Sequence, residues 1–223
     1  MGARLGHYAR PMELLDAAVQ RNLALREDGR AWVDGLPVLV DRLRDQWAFG
    51  DLGRPYHGGS HSLTTPVTLV DGAPAVLKVP VVDEANRLEA EALLLYAGEG
   101  AVELFAFDAE SGAMLLEEAR PGRPLEDHCN RLEAIQIGCA VLRRLRRPVP
   151  QGHLFTLVTD VAAAWSLNLS TRVAELPGDE ARRLAGEAAA AALELSRATG
   201  PLMLVNSDAH FGTSSPRNAS PGC

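Results

Sequence analysis

The run Ala75-Val76-Leu77-Lys78-Val79 is apolar except for one cation in its second half. Short runs rich in valine and leucine read as buried strand. A lysine inside such a strand needs an anionic partner, unless it lies at an edge and snorkels to water. Upstream, Val67-Thr68-Leu69-Val70 reads as a second strand, and Asp71-Gly72 supplies a tight turn between the two. Downstream, Asp83 is placed to cap a helix running to Tyr96, with Leu88, Ala92, Leu95 and Tyr96 on one face. The acids of that helix are Glu89 and Glu91. One of them can reach Lys78 from a helix packed on the sheet, leaving the other solvated.

Outward from this hairpin the pattern changes type several times. Between about Pro11 and Gln46 two helical periodicities appear, Met12/Leu15/Val19/Leu23 and Leu36/Leu39/Val40/Leu43, with Pro37 expected in a first turn. Trp47-Ala48-Phe49 is expected to open a strand. The loop His57-Gly58-Gly59-Ser60-His61-Ser62 follows, where paired glycines beside hydroxyls can bring backbone amides close to an anion. Val102–Phe107 and Ala113–Glu117 read as a second strand pair turning at Glu110-Ser111-Gly112. Glu118-Ala119-Arg120-Pro121-Gly122 breaks regular structure. Helices are expected over about 127–145, 157–176 and 179–199, with Trp165 as a core aromatic. Leu202-Met203-Leu204-Val205 then reads as a short strand. It delivers Asn206-Ser207-Asp208-Ala209-His210 in a polar loop, a position where a carboxylate can face a cleft.

Composition narrows the classes. The 223 residues are 47% hydrophobic and 23% charged, as in an ordinary globular chain, with a net charge of −7 that disfavours a nucleic-acid partner. No apolar run is long enough to span a bilayer. The basic N-terminus lacks the apolar core of a secretory signal, so the chain is expected to be cytoplasmic, with no membrane partner. Cys129, Cys139 and Cys223 are widely spaced and form no C-x-x-C pair. That spacing points away from a zinc site or a disulfide framework, with Cys129 and Cys139 expected at core or boundary positions. A metal hydrolase built on Asp208 and His210 would need further ligands. His7, His57, His61, His128 and His153 are scattered without metal-like spacing.

In order, these pieces are Gly58-Gly59-Ser60, Ala75-Val76-Leu77-Lys78-Val79, Glu89-Ala90-Glu91-Ala92-Leu93, Met114-Leu115-Leu116-Glu117, Pro121-Gly122-Arg123-Pro124-Leu125 and Leu204-Val205-Asn206-Ser207-Asp208-Ala209-His210. The series resembles the aminoglycoside and hydroxyurea phosphotransferase family of streptomycin kinase type, from about Trp47 to Gly212. The resemblance implies an α+β, protein-kinase-like two-lobe fold. A helical segment would cover 1–46, an antiparallel-sheet nucleotide-binding N-lobe 47–119, and a partial helical C-lobe with the catalytic loop 120–212. It implies transfer of the γ-phosphoryl group of ATP, with Mg2+, to a hydroxyl of a small molecule, an aminoglycoside such as streptomycin. By the same resemblance Gly58, Gly59 and Ser60 cover the phosphates, Lys78 pairs with them and Glu89 holds Lys78, with Glu91 as fallback. Glu118 and Ala119 offer backbone groups to adenine, Asp208 orients the acceptor hydroxyl and takes its proton, and His210 supports the loop.

The family pattern has a magnesium-binding asparagine five residues after the aspartate; here that position is Thr213, a poorer ligand. No Asp or Glu follows Asp208, so the second magnesium-binding aspartate of the pattern has no counterpart. The stretch 213–223, Thr-Ser-Ser-Pro-Arg-Asn-Ala-Ser-Pro-Gly-Cys, has no large apolar residue and is unlike all that precedes it. Suitable codons for it, read one base out of frame, translate as Asn-Val-Leu-Ala-Ala-Glu-Arg-Glu-Pro-Trp-Leu, which restores the asparagine in register. The expectation is a single-base deletion near the Gly212 codon and a C-terminally truncated phosphotransferase of impaired activity. The competing expectation is a genuine irregular tail on a catalytically dead kinase-like remnant or nucleotide-binding module.

Overall fold

The computed structural model describes residues 15–26, 28–57, 61–83 and 86–209. Two compact units are distinguished, 1–147 with 204–223, and 148–203.

The first unit is organised by an antiparallel sheet of four strands in the order β1-β2-β4-β3: Ser62–Thr68, Pro74–Pro80, Met114–Glu117 and Leu104–Phe107. The β1–β2 hairpin turns at Gly72, whose φ of 85° is left-handed, with the Ala73 N–H donating to Asp71 Oδ1. Strand β1 begins five residues earlier than its apolar pattern suggests, because Leu63 and Thr65 continue the same buried alternation as Val67. Register places Thr65 opposite Leu77 and Leu77 opposite Leu115, so one face of the sheet carries Leu63, Thr65, Val67, Ala75, Leu77, Val79 and Leu115, all buried. On the other face Thr64, Lys78 and Met114 share one row.

The first face is covered by α1 (Ala17–Leu23) and α2 (Gly29–Trp47), whose Val19, Leu23, Val33, Leu36, Val40 and Leu43 join its core. Asp16 caps α1 by accepting from the Ala18 N–H. Gly29 begins α2 against the preceding chain, and a Cβ there would lie 2.1 Å from the Leu23 carbonyl oxygen. Pro37, expected in a first turn, lies in the interior of α2. The lost bond costs about 3 kcal/mol. Val33, Leu36, Val40 and Leu43 each contribute about 1.5–3 kcal/mol on burial, so the helix continues through the proline.

Two polar ties fix α2 on the sheet. Trp32 Nε1 donates to the Pro80 carbonyl at 3.2 Å. The Arg42 guanidinium donates to both oxygens of Asp108, at 3.0 and 2.9 Å. Asp108, only 8% exposed, also accepts from the Ser111 N–H at 3.0 Å and from its hydroxyl at 2.5 Å. The Arg42 hydrogen bonds, with those of Ser111, hold this carboxyl far below the usual carboxylate range against the effect of burial.

Several boundaries differ from the sequence pattern. Trp47-Ala48-Phe49 does not open a strand: Trp47 ends α2, Ala48 turns left-handed at φ 53°, and Phe49 makes an isolated bridge to Leu69. The helix expected from Asp83 begins at Glu89 and runs to Tyr96 as α3, burying Ala90, Leu93 and Tyr96. Asp83 is instead locked with Asn86, each backbone N–H donating to the other's side-chain oxygen. Helix α4 spans Arg131–Leu145, because the Asn130 side chain accepts from the Leu132 and Glu133 amides and starts it there. A 3-10 turn at Leu125–Asp127 occupies the earlier part of that pattern. Cys129 and Cys139, expected at core or boundary positions, are both exposed, and Cys139 is a free thiol.

The second unit contains α5 (Val158–Arg172), a 3-10 turn at Val173–Glu175, and α6 (Asp179–Leu195). Asp179 and Glu180 lie in the first turn of α6, where its dipole favours them. The buried positions are small, Ala162 and Ser166 on α5 and Ala185, Ala189 and Ala192 on α6. Trp165 is consequently not a core residue: it sits one position around the helix from Ser166 and is 65% exposed. Short strands β5 (Arg147–Pro148) and β6 (Met203–Leu204) pair with each other. Among the described residues no helix is long and apolar enough to cross a membrane.

Leu77 is fully buried at the centre of the sheet. Leu77→Ala is expected to lower unfolding free energy in urea by about 3 kcal/mol. Asp108→Asn is expected to cost about 2 kcal/mol near neutral pH. A depressed native pKa stabilises above the unfolded value and is lost below it. The gap between wild type and Asp108→Asn in urea melts should therefore narrow as pH falls from about 5 to about 2.

Candidate nucleotide and phosphoryl-transfer site

Lys78 lies on β2, on the sheet face opposite α1 and α2. Its strand neighbours Leu77 and Val79 point into the core, so alternation sends the lysine to the other side. There α3 brings Glu89 to it, with Lys78 Nζ 2.5 Å from Glu89 Oε1. Glu89 opens the helix, where an acidic side chain also complements the dipole. The side chains are 24% and 31% exposed, so the pair is sheltered but within reach of a solvent-borne anion. Glu91, two residues further on, is exposed. Alpha-helical geometry turns it about 200° away from Glu89.

Glu118 and Ala119 follow β4 in irregular backbone, both half-buried. Both Glu118 oxygens are engaged: Oε1 accepts from the Tyr56 hydroxyl at 3.2 Å, and Oε2 accepts from Arg120 Nε and Nη2 at 3.0 and 2.8 Å. Gly122, at φ 68°, approaches Ala119 so closely that a Cβ would lie 2.5 Å from its carbonyl oxygen. Any side chain at 122 would displace this bend.

Asp208 follows β6 and is exposed, its backbone N–H donating to Asn206 Oδ1 at 2.8 Å in an Asx turn. The side chain of Asn206 thus shapes the loop that presents the carboxylate. Gly58, Gly59, Ser60, His210 and Thr213 lie outside the described residues. Among the described residues no group of three or more His, Cys, Asp or Glu side chains could hold a metal ion.

The structure therefore joins Lys78 to Glu89, sets Glu118 beside Tyr56 and Arg120, and presents Asp208 on an exposed turn. Two contributors escaped the sequence reading. Tyr56 is one; its only signal was an aromatic residue two places before the paired glycines. The other is Asp16, whose Oδ1 lies 2.7 Å from His57 Nδ1, a hydrogen bond that lowers the Asp16 carboxyl pKa. Nothing in the local pattern of either residue announces a partner 41 positions away.

Comparison with known proteins places the chain in a family. A family model described as aminoglycoside/hydroxyurea antibiotic resistance kinase matches residues 46–210. The chain is 34% identical over 190 residues to a streptomycin 6-kinase of Streptomyces glaucescens, covering 85% of this chain and 61% of that protein. It is 32% identical over 205 residues to a hydroxyurea phosphotransferase of Kitasatospora aureofaciens, covering 91% and 58%. To a streptomycin 6-kinase of Streptomyces griseus it is 35% identical over 168 residues, covering 74% and 54%. The matches thus span between about half and three fifths of the length of these relatives. With its sheet lysine, paired helix glutamate and C-terminal aspartate loop inside the matched region, the chain belongs to the aminoglycoside/hydroxyurea antibiotic resistance kinase family.

Proposed function

We propose that this chain is an ATP-dependent phosphotransferase, acting on a hydroxyl of an aminoglycoside such as streptomycin, within a kinase-like two-lobe fold. The N-lobe would be 47–119 and the helical C-lobe would begin at 120. The observation that carries the proposal is the Lys78–Glu89 pair on the sheet face away from α1 and α2. A cation so held is a binding group for phosphate oxygens, and its glutamate fixes the ammonium in place. The streptomycin 6-kinases and the hydroxyurea phosphotransferase among the relatives support both the reaction class and a small hydroxyl-bearing acceptor.

ATP supplies the phosphoryl group, and magnesium neutralises charge on it. The residues of the chain position and shield. Lys78 meets phosphate oxygens while Glu89 orients it. By the family resemblance, Gly58, Gly59 and Ser60 would cover the phosphates. Since both Glu118 oxygens are engaged, Glu118 and Ala119 meet the base through their backbone. Asp208 holds the acceptor hydroxyl and takes its proton, on a loop supported by His210. Thr213 stands at the metal-ligand position and offers a neutral hydroxyl. This substitution favours slow turnover, and equally a second reading in which the chain binds nucleotide without transferring phosphate.

The test is titration calorimetry of the purified chain with ATP, with and without magnesium, followed by transfer of labelled phosphate to streptomycin. Magnesium-dependent binding is expected, weakened about tenfold or more by Lys78→Ala. The same substitution should change stability by under about 1 kcal/mol, because a partly exposed ion pair contributes little to folding. Labelled streptomycin should form more slowly than the roughly 1–100 s−1 usual for kinases. Binding without any product would select the second reading, and absence of ATP binding would overturn both.

A further inference from the structure

The segment 50–57 does not form a regular strand, yet it runs along the free edge of β1. The Gly50, Gly53 and Tyr56 N–H groups donate to the carbonyls of Thr68, Pro66 and Thr64, at 2.8, 2.8 and 2.9 Å. Thr65 Oγ1 donates back to the Gly53 carbonyl at 2.9 Å. Leu52 is buried. The bonds recur at every third residue of the segment and every second residue of β1, which is the mark of an irregular, bulged edge. Tyr56 is thereby held beside Thr64, the register partner of Lys78, so all three lie in one row across the sheet. From this row its side chain reaches Glu118, 62 positions further along the chain, and remains 42% exposed.

We propose that Tyr56 is a positioning residue: its hydroxyl clasps the edge segment to Glu118 and, with Arg120, holds that carboxylate aside, so the backbone of 118–119 is presented to the base. This rests on the nucleotide-binding function proposed above. Burial and the adjacent Glu118 carboxylate push the phenol pKa up, so the hydroxyl remains a donor through neutral pH. Arg120 supplies the counter-charge, and a carboxylate with both oxygens engaged does not swing into the cleft.

The experiment compares wild type, Tyr56→Phe, Glu118→Ala and the double variant for ATP and adenosine affinity, with amide hydrogen exchange at Tyr56. Tyr56→Phe should weaken ATP and adenosine by the same factor, about fivefold, because the clasp acts at the base. Lys78→Ala should weaken ATP alone. Tyr56→Phe should have no further effect in the Glu118→Ala background, which leaves the hydroxyl no acceptor, the coupling expected of two groups in one bond. Exchange at the Tyr56 amide should quicken in Tyr56→Phe while the melting midpoint holds. A merely structural tyrosine would lower the midpoint and spare the adenosine affinity of the folded fraction, which would overturn the inference. Wild-type affinity retained by Tyr56→Phe would overturn it too, leaving the nucleotide function standing. A wild-type chain that binds neither ligand would overturn that function, and this inference with it.

Discussion

A lysine in a central strand has to be neutralised, and much of the first unit follows from how this is done. Lys78 cannot enter the core face, where Leu77 and Val79 are buried completely. It therefore faces the other way, and Glu89 of α3 meets it. Such a pair contributes little net stability, since desolvation offsets most of the attraction. Its consequence is geometric: the ammonium is held in one place on a sheet that is otherwise stabilised by apolar burial. The two faces differ accordingly: one is packed against α1 and α2 for cohesion, and the other carries the Lys78–Glu89 pair.

Cohesion comes from α1 and α2, whose apolar stripes complete the core beneath the sheet. Helix α2 is further tied through Trp32 to β2 and through Arg42 to the turn after β3. Because Asp108 has four donated hydrogen bonds and little exposure, the β3–β4 turn cannot drift from the helix without leaving a buried carboxylate unpaired. The irregular segment 50–57 closes the sheet's other edge and meets Glu118 through Tyr56. The row carrying Lys78 is thus framed by an edge segment on one side and by β4 on the other.

Much of this is legible in the residues alone. The lysine within an apolar run, the Asp-Gly turn, two strands around a glycine turn and a following glutamate helix are local signals, and their order is what resembles the family. Boundaries were less legible. Pro37 reads as a helix start because proline removes a hydrogen bond, but a buried stripe on both sides carries α2 through it. Asp83 reads as a cap, yet its side chain is taken by Asn86, and α3 starts at Glu89. Trp165 reads as core by size alone, while α5 buries only small residues against α6.

The sequence by itself determined the family, the alternation that separates the core face of the sheet from the face of Lys78, and, through the family resemblance, the candidates Glu89, Glu118 and Asp208. These depend on side-chain type and short-range period, which a chain carries along its own length. Tertiary structure alone decided which glutamate meets Lys78, that Tyr56 and Arg120 occupy Glu118, and that Arg42 holds Asp108. Those pairings join residues from 11 to 66 positions apart, except for Arg120 beside Glu118. They depend on the register of strands and the rotation of helices, and such contacts leave no local pattern to read.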